Sequence, residues 1–425
     1  MAKRRRIWAL VLGILGIVLV LGSFLWRALA SDALVKYPDD VDETPVYTGT
    51  VTLYVDPATA APLPAPQEVP LEVRRHVQVT ESTSELAVVH ETINLTATGL
   101  FDAVQENQYV MDRKTMLNVA DDRAWAFDAA NVVDRSGAYR LNFPLDNQSI
   151  PYPIYLNETQ TTYEAMPDSA QPTGTIEGLD VHNFNADVRY TPVTDTYLTA
   201  LDGALPQPLP RELGLEQLTP LLAAAGVDIQ GLLPNLLPAL NEADRGTILA
   251  LAQQPVKLQY LLRNVGEDSV EVSTGGIVEV RNVEQNFAAA PDPALVPQLT
   301  GLLGRYTQVA GVPEALDNLA KLAAEPIKIF DNKFSQTPES VADIADSVRD
   351  LRDLKSAAED TIPLVLLIAG IVVALVGFGL FLFWPKRPKP DVGTATTPDP
   401  TTPLADGPGQ DGSMVPPTTA GGPPT

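Results

Sequence analysis

The sequence predicts an α+β protein: a membrane-anchored, β-rich antiparallel ectodomain with a helical insertion, flanked by two transmembrane helices. Three observations predict it. Two uninterrupted apolar blocks stand near the chain ends, Ile7–Trp26 and Ile362–Trp384, neither with a charge inside it. Between them, runs such as VYTGTVTLYVD alternate apolar and polar residues with the two-residue period of a half-buried strand. A Leu- and Ala-rich stretch from Leu205 to Gln254 then interrupts that pattern with helical spacing.

The apolar blocks come first. A bilayer core takes ~20 apolar helical residues, and both blocks are long enough. Trp8, Trp26 and Trp384 stand at their edges, where amphipathic rings prefer the headgroup level. The competing reading of the first block is a cleaved signal peptide, with Ala28, Ala30 and Ser31 as small residues near its end. Its length and the closing Trp26-Arg27 favour a retained span. Basic residues near a span end are kept in the cytoplasm. Lys3, Arg4, Arg5 and Arg6 precede the first block, and Lys386, Arg387 and Lys389 follow the second. The facing flanks are acidic: Asp32, Asp39, Asp40, Asp42 and Glu43 on one side, Glu359 and Asp360 on the other. The expected layout is a cytoplasmic basic head (1–6), a span (7–26), an extracytoplasmic domain (27–361), a second span (362–384) and a disordered cytoplasmic tail (385–425). The location implied is a plasma membrane, crossed twice, with both termini cytoplasmic. The tail is rich in Pro, Gly and Thr and has too little apolar residue to form a core.

Within the domain, residues 46–193 are β-rich. VPLEVRRHVQV and ELAVVHETINLTATGL repeat the alternation, and further strands are expected at 160–165, 174–176 and 179–190. In the helical insertion, 205–254, Pro220, Pro234 and Pro238 are expected to break the helices into short pieces. Strands return across 258–283. Residues 293–359 are expected to be helical, in two stretches. The last is the clearest: Thr337-Pro338-Glu339 is a cap, a first-turn proline and a carboxylate at the positive end of the dipole. Val341, Ile344, Val348 and Leu351 then form one apolar stripe.

Composition narrows the chemistry. Formal net charge is −24 and the basic residues cluster at membrane flanks, which argues against nucleic acid as a partner. The chain has no cysteine, so disulfides and thiolate metal sites are excluded. His76, His90 and His182 lie in separate predicted strands without metal-ligand spacing. The acidic clusters at 39–43 and Asp121-Asp122 lack a calcium-loop pattern and read as solvated charge. Sequons at Asn94, Asn147 and Asn157 are close to chance in number. No catalytic motif appears, so no catalytic, cofactor-binding or metal-binding residue is nominated, no cofactor is expected, and the chain is not expected to be an enzyme. Gly370-x-x-x-Ala374, with Gly13 and Gly16 opposite, would let the two spans approach closely, within one chain or between protomers of a homo-oligomer.

The order of features resembles a known family. A basic head and span precede a β-rich domain containing TYEAMP and IEGLDVHNFNADV. A GGIVEV strand follows, then KFSQTPESVADIADSVRDLRDLKSAAEDTIPLVLLIAGIVVALVGFGL. This is similar, over about residues 5–384, to the actinobacterial two-span envelope family known as porin PorA; Leu205–Gln254 looks like an expansion of the family pattern. The resemblance implies a channel, but it transfers no site residue, and two uncharged spans cannot line a water-filled pore alone. The favoured expectation is a cell-envelope binding or scaffolding module on two anchors, with the bilayer and a lipid or envelope component as partners. The alternative is transport, as an oligomeric channel or a carrier of a hydrophobic ligand.

Overall fold

A computed structural model describes residues 2–27, 35–56, 61–224 and 226–383. The small residues after the first span, the basic cluster after the second, Trp384 and the Pro-rich tail lie outside these. The first apolar block forms helix α1 (Ala2–Leu25). At the other end one helical run spans Pro338–Phe383, and both are long and apolar enough to cross a membrane.

Alternation in the sequence becomes a curled antiparallel sheet. Its strands are β1 (Asp42–Glu43), β2 (Val46–Val55), β3 (Pro62–Ser82), β4 (Leu86–Ala97), β5 (Phe101–Asp112), β6 (Trp125–Ala126) and β7 (Asp128–Val132). They continue as β8 (Tyr152–Leu156), β9 (Thr161–Pro167), β10 (Thr173–Ile176), β11 (Leu179–Pro192), β12 (Glu212–Leu213), β13 (Val256–Glu271), β14 (Ile277–Pro291) and β15 (Ile327–Gln336). The order across the sheet is β7-β6-β5-β4-β3-β2-β15-β14-β13-β11-β9-β8. The segment between β5 and β8 joins the two ends of this order. Met111 bridges Asn118 and Tyr139 bridges Ile154, while Asn118 N–H donates to the Ala138 carbonyl at 3.0 Å. Edge strands left open invite pairing with other chains; here the curl and these bridges occupy them.

Helices fill the gaps in the sheet's connections. α2 (Asp195–Ala204) follows β11, capped by Thr194. The insertion folds as α3 (Leu215–Ala224), α4 (Ile229–Ala239) and α5 (Glu242–Gln253). It packs with α6 (Leu295–Leu303) and α7 (Val312–Ala324) into a lobe whose core includes Leu232, Leu236, Leu302, Val312 and Leu319. The prolines do not break these helices as expected: Pro220 lies inside α3, and Pro234 and Pro238 inside α4. The breaks fall at caps instead. Asp228 accepts from Gly231 N–H and Asn241 from Asp244 N–H, satisfying donors that a helix start leaves open.

A second correction concerns residues 293–359, expected to be helical in two stretches with no strand between them. β15 lies within them and is a central strand, pairing β14 on one side and β2 on the other. Phe330, Asn332 and Phe334 face inward on it, with polar residues between, a period-two pattern shorter than the helices around it. The strands expected across 258–283 are two long ones, and β14 continues to Pro291.

The last helix, α8 (Pro338–Ser356), starts at the Thr337 cap and buries Val341, Ile344, Ala345 and Val348 against the sheet. A π-helical turn, Ala357–Thr361, leads into α9 (Ile362–Phe383). Proline cannot donate to the preceding turn, and the π turn accommodates Pro363 just inside α9. α9 packs along α1 at glycines: a Cβ on Gly16 would lie 2.3 Å from Ala374 N, and one on Gly377 2.3 Å from Gly13 N. Trp26 Nε1 donates to the Ala358 carbonyl at 3.0 Å, tying the two helices at the end nearest the sheet.

Candidate functional site: a charged belt inside the sheet

Inward positions recur every second residue along a strand, and here they build two apolar cores. Val51, Leu53, Val73, Leu95, Leu262 and Phe287 belong to the first. Val77, Val89, Met111, Ile154, Phe184 and Val270 belong to the second. Between them the inward positions turn polar at one level. On β3 the series Leu71, Val73, Arg75, Val77 places Arg75 between the cores; on β4 Glu91 follows Val89; on β13 Asn264 and Asp268 lie between Leu262 and Val270.

Glu91 organises one side of this belt. Its carboxylate is fully enclosed and accepts from Arg75 Nε at 2.6 Å, Asn107 Nδ2 at 2.9 Å and the Tyr109 hydroxyl at 2.6 Å. Burial alone would raise its pKa, but the Arg75 and Arg140 charges and these hydrogen bonds hold it down at about 2. The Tyr109 hydroxyl in turn accepts from Asn157 Nδ2 at 2.7 Å and is raised to about 12, by burial first and then by Glu91. Arg135 lies 4.4 Å over the Tyr109 ring and donates to Asn157 Oδ1 and to the Gln108 and Trp125 carbonyls.

The other side surrounds a cavity of about 170 Å³ lined by Arg75, Arg140, Glu158, Tyr163, Asn264 and Asp268. Burial pushes the Asp268 carboxyl up to about 6 and raises Glu158 as well, against the opposing pull of Arg140. Arg140 Nε, Glu158 Oε2, Asn264 Oδ1 and Asn332 Oδ1 are enclosed without a hydrogen-bond partner. Four open polar atoms around one small space mark a place where something polar fits.

This cavity is one of a row. A lobe cavity of about 380 Å³ is lined by apolar side chains such as Leu222, Ile229, Leu236, Leu251 and Leu299. Leu218 is shared with a narrow space of about 50 Å³. Phe101 and Phe330 separate that space from the belt cavity. Tyr47, Arg75, Ile277 and Val280 then border both the belt and a cavity of about 440 Å³ under α8, where Ile344, Leu351 and Leu354 line the wall.

The residues singled out from sequence fall elsewhere. His76 pairs with Asp42 at 2.7 Å, so one member of the acidic cluster is engaged there. His90 packs on Trp125 with ring centroids 5.7 Å apart, and His182 Nδ1 lies 2.9 Å from Asn147 Oδ1. The three are not brought together, and among the described residues no group of His, Asp and Glu could hold a metal. Asp121 is engaged by Arg123, whose hydrogen bonds lower its carboxyl to about 2. Asn147 and Asn157 are buried and hydrogen-bonded. Sequence reasoning missed Arg75, Glu91, Arg140, Glu158 and Asp268. A usable signal existed for three of them: a charge at an inward position of an otherwise apolar alternation.

No curated protein matches the chain. A family model described as Porin PorA matches residues 8–379, a range that takes in most of both apolar blocks, the curled sheet with its charged belt and the helical lobe. The chain is a membrane protein of the cell envelope and belongs to the porin PorA family.

Proposed function

We propose that the chain is a cell-envelope binding module, tethered by α1 and α9, whose interior takes up a hydrophobic or amphipathic ligand and links the lobe with the membrane. The observation that carries this reading is the row of cavities sharing Leu218, then Phe101 and Phe330, then Tyr47 and Arg75. Ligand sites are typically apolar spaces of about 300–1,000 Å³ with a few placed polar groups; the lobe cavity and the belt divide those tasks. The far end of the row lies under α8, which runs into α9 and so faces the bilayer side of the domain.

In this reading the domain is extracytoplasmic and both termini are cytoplasmic, on the strength of Lys3, Arg4, Arg5 and Arg6 beside the first span. Catalysis is not part of it. Nor is a pore between the two spans, because α1 and α9 meet at glycine backbones and carry no ionisable residue from Ile7 to Trp26 or from Ile362 to Phe383. The test is mass spectrometry of the full-length chain purified in a mild detergent. A defined lipid retained at about one per chain supports carriage; an empty protein that gives single-channel conductance in planar bilayers overturns it in favour of a channel.

A further inference from the structure

We propose that Arg140 anchors an oxyanion site inside the curled sheet, which takes the phosphate or carboxylate head of an amphipathic ligand. The proposal rests on the reading that the interior takes such a ligand, and adds which part of it sits where.

Arg140 enters the belt from the segment that joins the two ends of the sheet, next to Tyr139, which bridges β8. Among the described residues its guanidinium makes no hydrogen bond and no ion pair, and its Nε is enclosed without a partner. Other deeply placed arginines are engaged. Arg75 pairs with Glu91, Arg113 donates to the Tyr37 and Thr83 carbonyls, and Arg135 holds Asn157. A guanidinium offers five N–H donors in a fixed fork that matches two oxygens of a phosphate or carboxylate. An enclosed N–H donor left without an acceptor is costly, so the open fork is the feature of the belt that most calls for a ligand.

The surroundings favour an anion over a cation. Glu158 and Asp268 line the same cavity, yet neither forms an ion pair with Arg140. Burial raises both carboxyls, so each takes up a proton more readily than a free carboxylate when an oxyanion approaches and then donates a hydrogen bond to it. Glu91, the carboxylate held ionised, is taken up by Arg75. Asn264 and Asn332 each keep an unpartnered side-chain oxygen on the cavity wall; turning either amide presents its NH₂ to an anion instead. A space of about 170 Å³ is ample for a phosphate or carboxylate head. Beyond Phe101 and Phe330 the walls become aliphatic, which places the apolar tail toward the lobe.

The experiment uses the full-length chain in neutral detergent, stripped of lipid. Binding is read by thermal shift and by retention of labelled lipid, with four probes: dioleoyl phosphatidic acid, oleate, dioleoylglycerol and inorganic phosphate. The wild type is expected to bind the two anionic lipids about ten- to a hundredfold more tightly than dioleoylglycerol. Arg140→Gln should erase that preference while leaving dioleoylglycerol binding unchanged, and Arg140→Lys should restore part of it. Arg140 also helps to hold Glu91 ionised, so Arg140→Lys, which keeps the charge but not the fork, is the folded reference for the lipid measurements. Arg263→Gln, at an exposed ion pair with Asp187, serves as the surface control. A preference for anionic lipid that survives in Arg140→Gln, or no preference in the wild type, overturns the site. A phosphate response abolished by Arg140→Gln, with no lipid bound, supports the oxyanion site and assigns it to a free anion. Failure of every lipid with no phosphate response overturns both the site and the carriage reading.

Discussion

Lys355, in the last turn of α8, donates to Asp146 Oδ1 at 2.5 Å across 209 residues of chain, and to the Ser273 carbonyl at 2.9 Å. Its side chain is 6% exposed whereas that of Asp146 is 73% exposed. The contact therefore fixes the end of α8, just before the π-helical turn that leads into α9, to the loops at one end of the sheet. Removing Lys355 leaves Asp146 solvated, so the loss is that of a partly screened pair plus one hydrogen bond, about 1–2 kcal/mol. Lys355→Met should accelerate amide exchange across the C-terminal half of α8 while leaving β3 and β4 unchanged. Uniform protection in the variant would show that α8 is held by its apolar stripe alone.

The belt gives the protein two opposed responses to pH. The folded Glu91 carboxyl stands at about 2 against an ordinary value of 4.5. Its contribution is thus present above about pH 4.5 and is lost as pH falls toward 2. Asp268 runs the other way, raised from 3.8 to about 6. Its contribution is present below pH 3.8 and is lost as pH rises to about 6, beyond which the charged carboxylate stays buried. Each shift corresponds to about 3 kcal/mol as an upper bound. Asp268→Asn should therefore flatten the decline between pH 4 and 6.5 and melt higher than the wild type at pH 7.5. Melting curves across that range decide the matter; a variant that still loses stability from pH 4 to 6.5 would place the titration elsewhere.

How much of this was legible in the sequence follows from periodicity. The two apolar helices, the Thr337 cap and the strands β2, β3, β4, β9, β10 and β11 declare themselves within a single window of residues, because local repeat and burial agree there. β5 and β8 are not among the expected strands. Nor is β15. Its alternation is short, and what makes it a strand is pairing with β2 and β14, far away in the chain. The belt was partly readable. Arg75, Glu91 and Asp268 each replace an apolar residue at an inward position, and a solvated face would have put charge on the other parity. Arg140 gave no such signal, since its segment carries little regular structure and only the closure of the sheet brings it inside.

Contact between α1 and α9 depends on backbone proximity that no side chain can share. A Cβ at Gly16 would stand 2.3 Å from Ala374 N, whereas one at Gly22 would meet nothing within 4 Å. Gly16→Val and Gly377→Val should each destabilise the helix pair by about 1–3 kcal/mol, the range for overpacking a tight contact. Gly22→Val should be neutral. Thermal melts in detergent read the three variants side by side. Equal melting of Gly16→Val and Gly22→Val would mean that the close approach contributes nothing.

The row of cavities predicts that storage and passage can be separated. Ile248 borders the lobe cavity and is half-buried, so Ile248→Trp should occlude that space and lower the lipid retained per chain without altering the sheet. Leu209 borders the narrow space of about 50 Å³ between lobe and belt. A tryptophan there fills what remains, leaving the lobe cavity untouched. Leu209→Trp should therefore retain lipid already bound but slow its transfer to acceptor vesicles, by about tenfold if the block adds near 1.4 kcal/mol to the barrier. Transfer of a fluorescent lipid between donor and acceptor vesicles, measured with full-length protein in both variants, separates the two steps. Should both variants lose retention and transfer together, the lobe and belt would act as one binding site rather than as a path.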